Sequence, residues 1–175
     1  MTTDFQHALD DTIRHAASGR HRLVLIVGEA GSGKTAFLRG IATAHTMQFL
    51  SLGEPLGVRL LETSPRTRPL MIEETVRQLL DETRPGSCID NTDILFDPGL
   101  RCDPLRLACS VSQNTFVAYT LTRRIEGKRF VRGYPDHPEF YSEELPSVPI
   151  LTLDRSGPSS ALAPNLCDSA LGDEV

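Results

Sequence analysis

The run Leu23-Val24-Leu25-Ile26-Val27, followed at once by Gly28-Glu29-Ala30-Gly31-Ser32-Gly33-Lys34-Thr35, limits what this chain can fold into more than any other stretch. A continuous apolar, β-branched run reads as a strand buried on both faces, as in the middle of a parallel sheet. The small residues after it let the backbone curl so that several N–H groups point inward. A helix is then expected from near Gly33, carrying Ala36, Phe37, Leu38, Ile41 and Ala42 toward the core. Strand, G-x-x-x-x-G-K-[ST] and helix together make the P-loop pattern. It predicts a cradle for a nucleoside triphosphate built from Gly28, Glu29, Ala30, Gly31, Ser32, Gly33, Lys34 and Thr35. Lys34 should reach the β- and γ-phosphates, the Thr35 hydroxyl should ligate Mg²⁺, and the helix N-terminus adds its dipole.

The rest of the chain supports an α/β reading. Phe5, Ala8, Leu9, Ile13 and Ala16 share one helical face over 4–17, before Ser18-Gly19. Met47–Leu52 reads as a second strand, Pro55–Thr63 as a short helix, and 64–69 as a proline-bounded loop. Ile72, Val76, Leu79 and Leu80 mark a further helix that stops at Arg84-Pro85-Gly86. Ser87–Asp90 is a short strand, and Asp103-Pro104 opens a helix with Asp as N-cap and Pro in the first turn. Thr115–Leu121 is a strand, Arg129–Gly133 an extra strand or half of a hairpin, and Val148–Leu153 a last strand. Alternation of strands and helices predicts a P-loop NTPase three-layer sandwich with a mostly parallel sheet. A single domain should occupy 1–153 with its core from 20 to 153, and the Ser-, Pro- and Asp-rich residues 154–175 read as a disordered tail.

A triphosphate site needs an acid at the end of another strand to hold Mg²⁺. Asp90, ending Ser87-Cys88-Ile89-Asp90, fits that role, and Asp97-Pro98 is a poorer competitor. Many such ATPases place a glutamate directly after this aspartate to activate water. Here that position is Asn91, which can orient a water but cannot take its proton. Asp93 is the nearest carboxylate and the candidate catalytic acid–base group, beside Lys34 and Asp90 as catalytic residues; the metal set is Thr35 and Asp90. Thr120 and Thr122 are positioned to sense the γ-phosphate, whereas Asn114 should lie at the opposite end of its strand.

Net charge is −5 over 175 residues, which argues against a coat for nucleic acid or an anionic membrane. No apolar run is long enough to span a bilayer and no secretory signal is visible, so the expectation is a cytoplasmic protein with no membrane partner. The four cysteines, Cys88, Cys102, Cys109 and Cys167, never form a C-x-x-C pair and read as reduced thiols. One basic stretch stands out: Arg123, Arg124, Lys128, Arg129 and Arg132, with Glu126 opposing them. It reads as a solvated hairpin, a DNA or RNA contact, or an arginine supplied to a neighbouring subunit. Arg101 and Arg106 are alternative fingers, and His137 is a weak catalytic candidate in a turn-rich segment.

Several segments together resemble the BrxF family, small P-loop proteins of BREX phage-exclusion systems. They are Val27-Gly28 with Gly33-Lys34-Thr35, Leu50-Ser51-Leu52-Gly53, Ile89 through Asp97, Asp103-Pro104-Leu105-Arg106-Leu107 and His137-Pro138-Glu139-Phe140-Tyr141. The resemblance spans roughly 20–145. It implies a cytosolic bacterial or archaeal ATPase using ATP and Mg²⁺, working with other anti-phage defence proteins. It also implies an AAA-like core that assembles into homo-oligomeric rings with nucleotide between subunits. A nucleotide-gated switch with little hydrolysis is the first alternative, a small-molecule kinase the second. A GTPase is disfavoured because no Asn-Lys-x-Asp occurs.

Overall fold

The computed structural model describes residues 3–132, 140–155 and 157–162. The described residues include five α-helices: α1 (Thr3–Ala17), α2 (Lys34–Ala44), α3 (Gly53–Leu61), α4 (Arg68–Leu79) and α5 (Pro104–Val111). The main sheet has the order β2-β3-β4-β1-β8-β9. Its members are β1 (Leu23–Gly28), β2 (Gln48–Ser51), β3 (Gly86–Asp90), β4 (Phe116–Thr122), β8 (Ile150–Asp154) and β9 (Gly157–Leu162). All pairings from β2 through β8 are parallel, and β9 closes the edge antiparallel. A second, three-stranded sheet joins β5 (Arg124–Glu126), β6 (Arg129–Arg132) and β7 (Tyr141–Glu144).

The alternation of side chains in β1 explains why helices cover both faces. Leu23, Leu25 and Val27 pack into a cluster with Leu56, Leu60, Ile72, Val76, Leu105 and Ala108 of α3, α4 and α5. Val24 and Ile26 point the other way, against Leu9 and Ile13 of α1 and Leu38 and Ile41 of α2. The result is a mostly parallel α/β sandwich of three layers. Each fully buried Leu or Ile in these layers is worth roughly 1.5–3 kcal/mol over its exposed state. The expected face of α1 holds for Leu9, Ile13 and Ala16; the side chains of Phe5 and Ala8 lie outside the described set. So do residues 133–139, and with them the His137 reading.

Two local expectations are corrected. The loop read over 64–69 is shorter, because α4 starts at Arg68 with Pro69 in its first turn. Proline there gives up an N–H that has no helical partner anyway. Residues 157–162, read as part of a disordered tail, form β9 on β8. An edge strand needs one partner and tolerates proline at a bulge: the register slips between Thr152 and Leu153, where Pro158 stands opposite Leu153. Composition alone hid this strand. By contrast, the Asp103 cap is as expected, its Oδ1 accepting from the N–H groups of Leu105 and Arg106 at 3.0 Å each.

Candidate functional site

Parallel register brings the strand ends together. Asp90 ends β3 opposite Ser51 of β2, while on β4 Thr120 lies opposite Ile26 and Thr122 opposite Gly28. The carboxyl ends of four strands therefore face one cleft of about 730 Å³, a volume suited to a small-molecule ligand. Lys34, Thr35, Asp90, Asn91, Asp93 and Thr120 are among the residues that line it. Ligands of open parallel sheets bind outside the strands' carboxyl ends.

The glycine loop forms the cleft's near wall. Gly33 has φ 87° and serves as N-cap of α2, a left-handed conformation that a Cβ would strain. Its carbonyl accepts the Phe37 N–H at 3.0 Å, which starts the helix and leaves the first-turn N–H groups facing the cleft. Gly28 is needed for a different reason: a Cβ there would stand 2.4 Å from the Leu153 carbonyl oxygen. The Lys34 ammonium, buried behind the loop, donates to the carbonyls of Gly28 and Glu29 at 2.8 and 2.7 Å. An ammonium has three donors, so one remains for a ligand. Burial lowers the Lys34 pKa from its ordinary value, with the charges of Asp93, Asp90 and Glu29 acting in the opposite sense. An anion in the cleft would relieve this cost.

Asp90 sits 7% exposed at the end of β3. Thr120 Oγ1 donates to its Oδ1 at 2.8 Å, and Thr92 Oγ1 in turn donates to the Thr120 carbonyl at 2.7 Å. Asn91 follows with φ 56° and lies against Gly53, where a Cβ would stand 2.6 Å from the Asn91 Nδ2. The left-handed backbone at Asn91 turns the chain into a 3₁₀ turn, Thr92–Phe96, which brings Asp93 to the lining of the cleft. The Asp93 side chain is 47% exposed, 3.9 Å from Arg123 Nη1 and 3.2 Å from the donating Thr122 Oγ1. Asp97, the competing acid, accepts the Gly99 N–H at 2.7 Å and does not line the cleft.

The basic stretch divides. Arg123 is only 3% exposed; it lies over the Phe96 ring at 3.8 Å and donates to the Thr122 carbonyl at 2.7 Å. It therefore leaves the set of basic residues offered for a DNA contact, because a guanidinium buried between β4 and β5 cannot meet a duplex. Arg124 and Arg132 are half-buried, and Lys128 and Arg129 are exposed, on the hairpin of β5 and β6. Arg101 and Arg106 are exposed and do not line the cleft. Asn114 lies before β4, at the opposite end of the sheet, where its carbonyl accepts from Arg22.

Arg39 and Ser51, which sequence reading missed, also line the cleft. Both had a signal. Arg39 is four residues after Thr35 and so shares its helix face, and Ser51 ends the strand that pairs with Asp90's. A neighbouring cavity of about 520 Å³ adjoins the loop on the β8 side, lined by Glu29, Ala30, Ser32, Leu153, Asp154 and Arg155.

The donor set suits a hard cation held partly by its ligand. Among the described residues no group of three His, Cys, Asp or Glu side chains forms a ready cage. Mg²⁺ typically takes one or two protein oxygens plus phosphates and waters, and Thr35 and Asp90 offer that pair. Cys88 is unsuited to reaction or metal binding, since burial pushes its thiol up to about 12. No described helix is long and apolar enough to cross a membrane. No family model matches this chain, and neither does any curated protein or solved structure.

Proposed function

We propose that this chain is a P-loop protein that binds a nucleoside triphosphate with Mg²⁺ in the 730 Å³ cleft and hydrolyses its terminal phosphate. One observation carries the reading: Lys34, Thr35, Asp90 and Asp93, singled out by motif and spacing, line a single cleft at the head of α2. The α2 N–H groups and Lys34 would hold the β- and γ-phosphates. Thr35 and Asp90 would hold Mg²⁺, which supplies charge neutralisation on the phosphates. The cavity on the β8 side offers room for the nucleoside. In hydrolysis a water oxygen bonds to the terminal phosphorus as the bridging P–O bond breaks. The electron pair leaves on the diphosphate, and Asp93 takes the water's proton.

The resemblance to BrxF supplies the setting: ATP as the nucleotide, an AAA-like ring of identical subunits, and partners in anti-phage defence. Arg124, Lys128, Arg129 and Arg132 are the residues a DNA contact would use. Cytoplasmic residence follows from the same resemblance.

A nucleotide-gated switch with little turnover is the second reading, and Asn91 favours it. Its amide stands beside Asp90 in the cleft wall and cannot accept a proton. Phosphate release by pure protein, with Lys34→Ala as control, separates the two. Release above the control supports hydrolysis. Tight Mg-nucleotide binding without release, with or without DNA, supports the switch, and no binding at all removes both.

A further inference from the structure

The hairpin that follows β4 brings its arginines back to the glycine loop of its own chain. β5 begins two residues after Thr122, with only Arg123 between, so Arg124 is tied to the strand whose end lines the cleft. A small cavity of about 170 Å³ sits there, lined by Glu29, Ala30, Thr122, Arg123, Arg124 and Val131 among others. Ala30 and Thr122 also line the main cleft, so the two spaces share a wall. Arg124 reaches across this wall: its Nη1 lies 3.9 Å from Glu29 Oε1 of the loop, while Nη2 donates to Glu126 Oε1 at 2.9 Å.

Resting on the triphosphate reading above, we infer that Arg124 is a catalytic residue supplied in cis, which exchanges Glu29 for the terminal phosphate when the triphosphate binds. Glu29 is 67% exposed, so its pair with Arg124 is weak and screened. A triphosphate brings several charges and paired oxygens to the glycine loop, and together they hold a planar guanidinium more strongly than one solvated carboxylate does. Arg124 then stabilises the charge on the equatorial oxygens as the water oxygen bonds to phosphorus and the diphosphate departs with the bond's electron pair. The water's proton goes to Asp93. Arg123 is a positioning residue here: buried on Phe96 and bonded to the Thr122 carbonyl, it fixes the start of the hairpin. This places the arginine in the same chain as the loop, against the alternative reading of an arginine supplied to a neighbouring subunit.

Subunit mixing tests this directly. Arg124→Ala should lower kcat by roughly 10²–10³-fold with nucleotide affinity changed far less, and Arg124→Lys should recover only part, because a point charge lacks the planar fork. Mixing the Arg124→Ala protein with Lys34→Ala protein should restore no activity, since neither chain carries a complete site. Glu29→Gln, which removes the competing carboxylate, should lower KM. Recovery on mixing would show a trans arginine and overturn the inference, as would an unchanged kcat in Arg124→Ala. Wild-type protein that binds no Mg-nucleotide would instead remove the triphosphate reading, and this inference with it.

Discussion

Asp90 and Asp93 belong to one short segment, yet the fold treats them in opposite ways. Asp90 closes a central strand, buried and braced by a hydroxyl from the next strand. Asp93 rides a 3₁₀ turn, half-exposed, with Thr122 and Arg123 as looser partners at 3.2 and 3.9 Å. The left-handed Asn91 between them makes the difference, since it ends the strand and redirects the chain. A residue fixed by sheet register is suited to hold a metal at one place. A residue on a turn is suited to meet a ligand that arrives, moves and leaves.

This contrast can be broken by substitution. Asp90→Asn should cost about 10³-fold in kcat, the equivalent of roughly 4 kcal/mol of metal-assisted stabilisation, and should abolish the Mg²⁺ dependence of nucleotide binding. Asp93→Asn should cost about 10²-fold in kcat and leave Mg²⁺-dependent affinity intact. Steady-state phosphate release combined with Mg²⁺ titration separates them; equal losses of affinity in both would erase the distinction. A smaller effect should follow from Thr120→Val, which strips a donor from the buried carboxylate. We expect about 1–2 kcal/mol lower stability by denaturant unfolding and roughly tenfold lower kcat. The matching change on the turn, Thr122→Val, should leave stability within about 0.5 kcal/mol.

The smallest effect lies away from the cleft, on the helical layer that supports β3 and β4. Glu73 of α4 accepts from Ser110 of α5 and pairs with Arg77, and these bonds, Ser110's first, hold its carboxyl below its ordinary value. A lowered carboxylate contributes stability that is complete above the unfolded value, near 4.5, and is lost as pH falls through the lower folded value. Glu73→Gln should therefore flatten the stability–pH curve below pH 4.5 and leave the neutral-pH activity unchanged. An acid limb as steep as wild type would assign it to other groups.

The strands and helices that frame the site were legible because their signals are local. An apolar run before a glycine loop, a 3.6-residue stripe, and Asp-Pro at a helix start each depend on neighbours along the chain. Asp90 was legible for the same reason, as the acid ending a short apolar strand. What escaped depends on distant partners. β9 is held by the backbone of β8 and not by composition. Arg123 looks like any surface arginine until the Phe96 ring and the Asp93 turn are placed against it. Ser51 matters only through its register with Asp90.

Equilibrium binding of a nucleoside triphosphate to wild type, Lys34→Ala and Asp90→Asn, with and without Mg²⁺, tests the central claim most directly. Wild type should bind far more tightly with Mg²⁺ than without. Lys34→Ala should lose at least about two orders of magnitude in affinity, near 2.7 kcal/mol, and Asp90→Asn should bind equally with and without the metal. Triphosphate binding that is absent from wild type, or unchanged by Lys34→Ala, would contradict the account.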